Sequence, residues 1–390
     1  MFSSRLDWAA VPNKLARMLE GKRSAGVQIL DLTESNPTAA GLSYGSDQIV
    51  ESFADARWLR YEPAPAGIVA AREAVSQYYS NRVPMGRILL TASTSEAYGF
   101  LFKLLADPGD EILAPRPSYP LFDFLAALDS VRIVQYPLIY HGRWSIDFEA
   151  MAARVTPRTR AIVIVNPNNP TGSFLKKPEL TQLAAFCKER DLAILSDEVF
   201  SDYGLEEDPE RVRSLTERED VLSFSFSGLS KVAGLPQLKL GWIVVNGPET
   251  LRAQAFERLE LIADTYLSVG APVQWAAAAL LDLREGIQRE IQQRVRRNLE
   301  FLRATIGASS PWRVLDVEGG WYAVLEGPRI HTEENWVLSL LEQDNVLVQP
   351  GFFFDFEREA FLILSLLTRP DVFEEGVRRI LGRIPDPGIG

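Results

Sequence analysis

Residues 225–242 read SFSGLSKVAGLPQLKLGW. The apolar run Leu222–Phe226 has the composition of a buried strand, and Lys231 follows it after a turn of small residues. Serine and glycine there let an anionic group such as phosphate approach the backbone closely. A lysine amine withdrawn from water forms imines with carbonyls. A lysine by itself is a surface residue; this one stands out by its place after a strand and a small-residue turn.

Two stretches upstream belong with it. NPNNPTG, residues 166–172, directly follows the apolar run AIVIV. Open α/β sheets place ligand contacts at such strand ends. Asn and Pro also favour turns, so the loop equally reads as a rigid turn. Asp197-Glu198 follows the run Leu192–Ser196. An acid at the end of a buried strand is costly unless it pairs, either as a cap or against a cation such as a protonated pyridine nitrogen.

Working outward, short apolar runs alternate with amphipathic stretches. Strands are expected at Arg87–Thr91, Glu111–Ala114, Arg132–Tyr136, Ala161–Val165, Leu192–Ser196, Leu222–Phe226 and Gly241–Val245. Helices are expected at Ser95–Leu105, before the stop Asp107-Pro108-Gly109, and at Pro178–Arg190. The alternation implies an α/β chain whose mostly parallel sheet is covered on both faces, a three-layer large domain. After about residue 250 the pattern changes. Helices run through Leu251–Ala263 and Val273–Ile306, the second with a break near Gly286 and a stop at Gly307. Short strands follow at Trp321–Leu325, Val346–Val348 and Phe361–Leu366. This reads as a smaller α+β domain built from both chain ends. The expected division is 1–46 as part of the small domain, 47–285 as the large domain and 286–390 as the rest of the small one.

Composition bounds the function. The 390 residues carry a net charge of -11, against a nucleic-acid footprint but not against an anionic ligand in a pocket. One cysteine, Cys187, lies at a helical apolar position and reads as buried; with two histidines it makes a poor zinc set. No apolar run approaches the roughly 18 residues that span a bilayer, and the start lacks the apolar core of a signal peptide. A reduced, cytoplasmic setting is the expectation.

NPNNPTG, SDEVF (196–200) and the lysine stretch, in this order, resemble the motifs of the class I/II aminotransferases, fold type I of the pyridoxal 5'-phosphate enzymes. TASTSEA (91–97), Tyr61-Glu62-Pro63 with Gly67, Gly319-Gly320-Trp321 and Gln349-Pro350-Gly351 extend the resemblance over about residues 30–381. It implies that Lys231 holds the cofactor as an imine and shuttles the substrate proton. Asp197 would pair with the pyridinium, Asn169 would donate to the phenolate oxygen and Tyr119 would stack on the ring. Ser93, Thr94 and Ser95 would bind the phosphate at a helix start, aided by Ser227, Ser230 and Lys239. Lys239 stands where the family usually has arginine, so it keeps the charge without the bidentate fork. Tyr61 would reach the phosphate of a partner subunit, which implies a homodimer with shared sites. Asn36, in the segment Thr33–Thr38, and Asn169 would line the substrate mouth, and a buried Glu34 there would favour an amine or basic substrate group.

Two positions depart from the family. Phe200 stands where a tyrosine is common, and Ile363 stands where an arginine usually grips the substrate carboxylate. Arg369, Arg116 and Arg23 are the candidate replacements. The resemblance implies an amino-group transferase working by a ping-pong route between an amino donor and an oxo acid. A lyase, decarboxylase or cyclase on the same fold, and a non-catalytic cofactor-binding regulator, are the alternatives. A nucleotide-binding α/β protein is a weaker one, because no Gly-x-Gly-x-x-Gly or phosphate-loop motif occurs. Phe200→Tyr should lower the pH at which the cofactor imine loses its proton, because the added hydroxyl favours the deprotonated form. A spectrophotometric titration with the same midpoint in both proteins would count against this.

Overall fold

The computed structural model describes residues 2–6, 13–307 and 309–383. The first strand, β1 (Leu30–Asp31), stands apart from the main sheet. That sheet contains β2 (Ile88–Thr91), β3 (Glu111–Arg116), β4 (Arg132–Tyr140), β5 (Trp144–Ile146), β6 (Thr159–Val165), β7 (Ala193–Asp197), β8 (Ser223–Gly228) and β9 (Gly241–Asn246). Their spatial order is β2-β9-β8-β7-β6-β3-β4-β5. From β8 through β4 neighbours run parallel. β9 is antiparallel to both of its neighbours, and β5 folds back on β4 as an edge hairpin.

The strands are apolar because both faces are covered. Residues alternate along them: Leu195, Phe224 and Phe226 join a core under the helices Thr94–Leu105 and Glu249–Tyr266, while Ile162 and Ile194 face a core that includes Leu183 and Cys187. The helix Lys177–Glu189 supplies those last two, and its start is closed by Lys176 N–H donating to the Glu179 carboxylate. Burial pushes the Cys187 thiol up to about 12, so it packs as a hydrophobe.

A second sheet has the order β10-β11-β14-β13, from β10 (Arg313–Val314), β11 (Tyr322–Glu326), β13 (Gln349–Pro350) and β14 (Phe361–Ser365). The strand expected at 346–348 is present as Val346–Leu347, and a further short strand, Gln349–Pro350, follows it in another sheet. β12 (Val346–Leu347) pairs parallel with β1, and β13 pairs with β14. The helix break falls at Leu283, which caps both Ala271–Asp282 and Arg284–Thr305. Gly286 lies in the first turn of the second helix, where its low propensity is tolerated.

The two sheets meet through a tight interlock. Lys176, 5% exposed, pairs with Asp208 and Glu318, and the Phe174 N–H donates to Glu318. Gly172 lies against the Gly319 carbonyl, and a Cβ on Gly319 would stand 2.5 Å from the Phe174 ring and 2.7 Å from the Tyr203 carbonyl. Neither neighbour is a flexible chain end. Gly319→Ala should therefore destabilise the fold by about 1–3 kcal/mol, the range for overpacking; an unchanged urea midpoint would show that the interlock yields.

Candidate active site

The C-terminal ends of β6, β7 and β8 meet in one place. Asp197 closes β7, the NPNNPTG loop leaves β6, and Gly228 leads from β8 into a four-residue helix, Leu229–Val232, that carries Lys231. Side chains from three other segments hold that helix and the turn after it through their carbonyls. Tyr203 Oη donates to Lys231 O at 2.6 Å, Gln288 Nε2 to Val232 O at 2.7 Å and Tyr44 Oη to Gly234 O at 2.7 Å. Gln288 also donates to Asp202, which accepts from Tyr78 as well.

Lys231 Nζ lies over the Trp321 ring, 4.8 Å from its centroid, and 5.5 Å from that of Phe200. Burial lowers its pKa to about 8, with the charge of Asp197 opposing the shift. Asp197 is 8% exposed, and burial raises its carboxyl to about 6. It accepts from Tyr98 Oη at 3.0 Å and from the Val199 N–H at 3.2 Å. Desolvation shifts both groups toward their neutral forms, and their mutual attraction, with the hydrogen bonds to Asp197, opposes it.

The three asparagines of the loop divide their work. Asn166 bonds Val212 O and the Leu175 N–H, and Asn168 bonds Pro117 O, Thr171 and Ser118. Asn169 Oδ1 is buried without a hydrogen-bond partner among the described residues. Tyr119 is 38% exposed, stands edge-on to Phe122 and feels the charge of Asp197. Ser93 caps the helix Thr94–Leu105 through its Oγ, which leaves the N–H groups of Thr94 and Ser95 in the first turn. A Cβ on Gly241 would meet Ser93, Ser227 O and Thr91 within 3.1 Å, so Ser93 and Ser227 converge there. Ser230 adjoins Lys231, and Lys239 is exposed, in the left-handed region at φ 52°.

The other expected residues have varied surroundings. Arg369 is exposed, pairs with Asp371 and rests against Gly41; Arg23 pairs with Asp31. Arg116 pairs with Glu357, tying the large sheet to the segment after Gly351–Phe354. Asn36 bonds Thr38 within its own turn. Tyr61 is 77% exposed and borders a different cavity, of about 230 Å³, with Leu90, Phe100 and Ser268. Ile363 is fully buried in an apolar cluster with Trp144, Val324, Phe354 and Phe361. Glu34 is half-buried and lies within electrostatic reach of Tyr322, whose phenol bonds Ser35.

Residues 28–380 match the family model for aminotransferase class I and II. The chain is 28% identical to the glutamate-pyruvate aminotransferase AlaA of Escherichia coli strain K12, with 95% of each chain covered. It is also 28% identical to the alanine aminotransferase of Mycobacterium tuberculosis H37Rv, covering 88% of this chain and 82% of that one. A crystal structure of an aminotransferase from Escherichia coli superposes with a TM-score of 0.84 at 26% identity, covering 98% and 97% of the two chains. An alanine aminotransferase from Pyrococcus furiosus shares the fold, with a TM-score of 0.85 at 24% identity and 98% and 99% coverage. The chain belongs to the class I/II aminotransferases: it is a transferase of PLP fold type I that depends on pyridoxal 5'-phosphate.

The residues present suit that cofactor. It needs an amine for its aldehyde, a carboxylate for its ring nitrogen, a donor for its phenolate and a helix start for its phosphate. The amine of Lys231, the buried Asp197 and the start of Thr94–Leu105 offer three of these, and the amide nitrogen of Asn169 is a donor on the loop that leaves β6.

Sequence reasoning missed Tyr98 and the role of Trp321. Tyr98 sits one turn beyond Thr94 on an apolar helix face and reads as core, and only the fold turns its hydroxyl to Asp197. For Asp197 the folded pKa of about 6 exceeds the unfolded value, so its burial destabilises the fold progressively as pH rises from about 4 to about 6. Stripped of cofactor, Asp197→Asn should be more stable than wild type by up to ~3 kcal/mol above that window and no more stable below it. Denaturation at acid and alkaline pH checks this; an equal difference at both would refute it.

Proposed function

We propose that Lys231 bonds the cofactor and that the enzyme moves an amino group from glutamate to pyruvate by a ping-pong route. The observation that carries this is the pair formed by Lys231 and Asp197, two desolvated groups of opposite charge at adjacent strand ends. Pyridoxal 5'-phosphate supplies an aldehyde that condenses with amines and a ring that takes up the electrons released at the substrate carbon. With a pKa of about 8, Lys231 has a useful fraction of free amine near neutral pH and can take and return the substrate proton. Asp197, kept from water, remains charged only beside a cation and so favours a protonated ring nitrogen. Asn169 donates to the phenolate, and Tyr119 covers one ring face. Ser93, Thr94, Ser95, Ser227, Ser230 and Lys239 bind the phosphate.

The names of the relatives, glutamate-pyruvate and alanine aminotransferase, support the choice of substrates. The burial of Ile363 among apolar side chains supports a substrate carboxylate held by hydrogen bonds rather than by a cation at that strand. Tyr322 with Ser35, and Asn36 nearby, are the donors we assign to it. We assign Arg369 and Arg116 to the ion pairs described above, not to substrate.

The reading includes a cytoplasmic homodimer, with residues 1–46 and 286–390 as the small domain. Leu59, Tyr61, Val69, Leu261 and Tyr266 are each more than half exposed, apolar side chains that a second copy would cover. Tyr61 would then reach the partner's phosphate. Borohydride should leave cofactor covalently attached to wild type and not to Lys231→Ala. Glutamate should release its oxo acid in an amount equal to the bound cofactor, and pyruvate should regenerate the starting absorbance. Equal trapping on the alanine variant would overturn the lysine assignment; release without regeneration would overturn the transfer to pyruvate.

A further inference from the structure

We propose that Trp321 holds the amine of Lys231 in its charged form whenever that amine is not bonded to a ligand, and so sets the pH at which the lysine becomes a nucleophile. The inference rests on reading Lys231 as the cofactor-bearing lysine.

The geometry is that of an ammonium against aromatic faces. Nζ stands 4.8 Å from the Trp321 centroid and 5.5 Å from that of Phe200, both within the range in which a ring attracts a cation. Trp321 cannot swing away. Its ring is fully buried between Phe200 and Tyr203, each edge-on with centroids 5.1 Å apart. Its backbone is pinned as well, by the Leu366 N–H on its carbonyl and by Gly320 N–H on Tyr203 O.

The choice of tryptophan is informative. The indole Nε1 is buried without a hydrogen-bond partner among the described residues. A phenylalanine would present an aromatic face there without that unmet donor. What tryptophan adds over phenylalanine is the stronger attraction for a cation. That attraction acts on a lysine which burial drives towards the neutral form.

The groups that face this amine come from several elements. Asp197 on β7 is the charge that acts on it, and Asp197 is itself bonded by Tyr98 of the Thr94–Leu105 helix and lies near Tyr119. Tyr203, after β7, is bonded to the lysine carbonyl. Burial pushes the phenols of Tyr98, Tyr119 and Tyr203 up, so they stay neutral where the lysine titrates. Asp197 titrates near 6, on the acid side of it.

The test uses the full-length chain stripped of cofactor. Acetic anhydride labels free amines, and the extent at Lys231 is read by mass spectrometry across pH. Removing the ring face weakens the charged form, so the labelling midpoint should fall. Trp321→Leu should lower it by about one pH unit, a tenfold gain in free amine at a given pH below the midpoint. Trp321→Phe should give a smaller fall, and Phe200→Leu, which removes the more distant ring, a smaller fall than Trp321→Leu. If the leucine variant does not fold, the phenylalanine variant carries the test, with its circular dichroism compared with wild type. An unchanged or raised midpoint in both Trp321 variants overturns the proposal, because a packing role alone does not lower a lysine's pKa. Labelling reads the amine without cofactor, so this result is independent of borohydride trapping, which judges whether Lys231 bonds the cofactor.

Discussion

A carboxylate and an amine kept from water, each within reach of the other's charge, constrain everything built around them. Each is unstable in its charged form when buried alone, and each makes the other's charge tolerable. Asp197 gains further support from Tyr98 and the Val199 N–H, whereas Lys231 Nζ faces rings. On the proposed reading, the first group is the fixed partner of a cation, and the second is free to change its bond and its charge, as an exchange of amines requires.

Holding that pair takes most of the molecule. Asp197 arrives on the central parallel sheet, whose strands bury both faces. Lys231 sits on a helix too short to stabilise itself, and Tyr203, Gln288 and Tyr44 complete its hydrogen bonds from three separate segments. Gln288 belongs to the long helix that packs with the second sheet, so the small sheet's support reaches the lysine through one amide. The Lys176–Glu318 pair does the same from the other side, because Glu318 precedes the glycines that deliver Trp321 to the lysine.

Much of this was legible in the chain. The seven strands expected in the main sheet are all present within a few residues, because strands buried on both faces are written as unbroken apolar runs. The edge hairpin β5 was not foreseen: Trp144–Ile146 is three residues long and pairs only on one side. The strand expected at 346–348 is there, but Gln349–Pro350 just after it was not foreseen as a strand of another sheet, a distinction that pairing partners make and local composition does not. Of the candidate site, Lys231 and Asp197 stand out because each ends or follows an apolar run, and Asn169 and Ser93 were candidates through the resemblance of their motifs to the family's. Tyr98 could not be singled out, since a tyrosine on an apolar helix face looks the same whether its hydroxyl meets water or a carboxylate.

The arginines mark the limit most clearly. Arg369 was the first candidate, with Arg116 and Arg23 beside it, and the fold gives each of them a carboxylate partner of its own. Ile363 in turn is enclosed by residues from three strands and an aromatic turn. Local sequence determined the order of strands and helices, the lysine turn and the asparagine loop, because backbone propensity and apolar periodicity act over a few residues. Tertiary structure alone decided which ring lies under the lysine, which hydroxyl meets the aspartate and which cations are spent on ion pairs. Those depend on contacts between residues as far apart as Lys231 and Trp321, and such contacts exist only once the sheets have closed on each other.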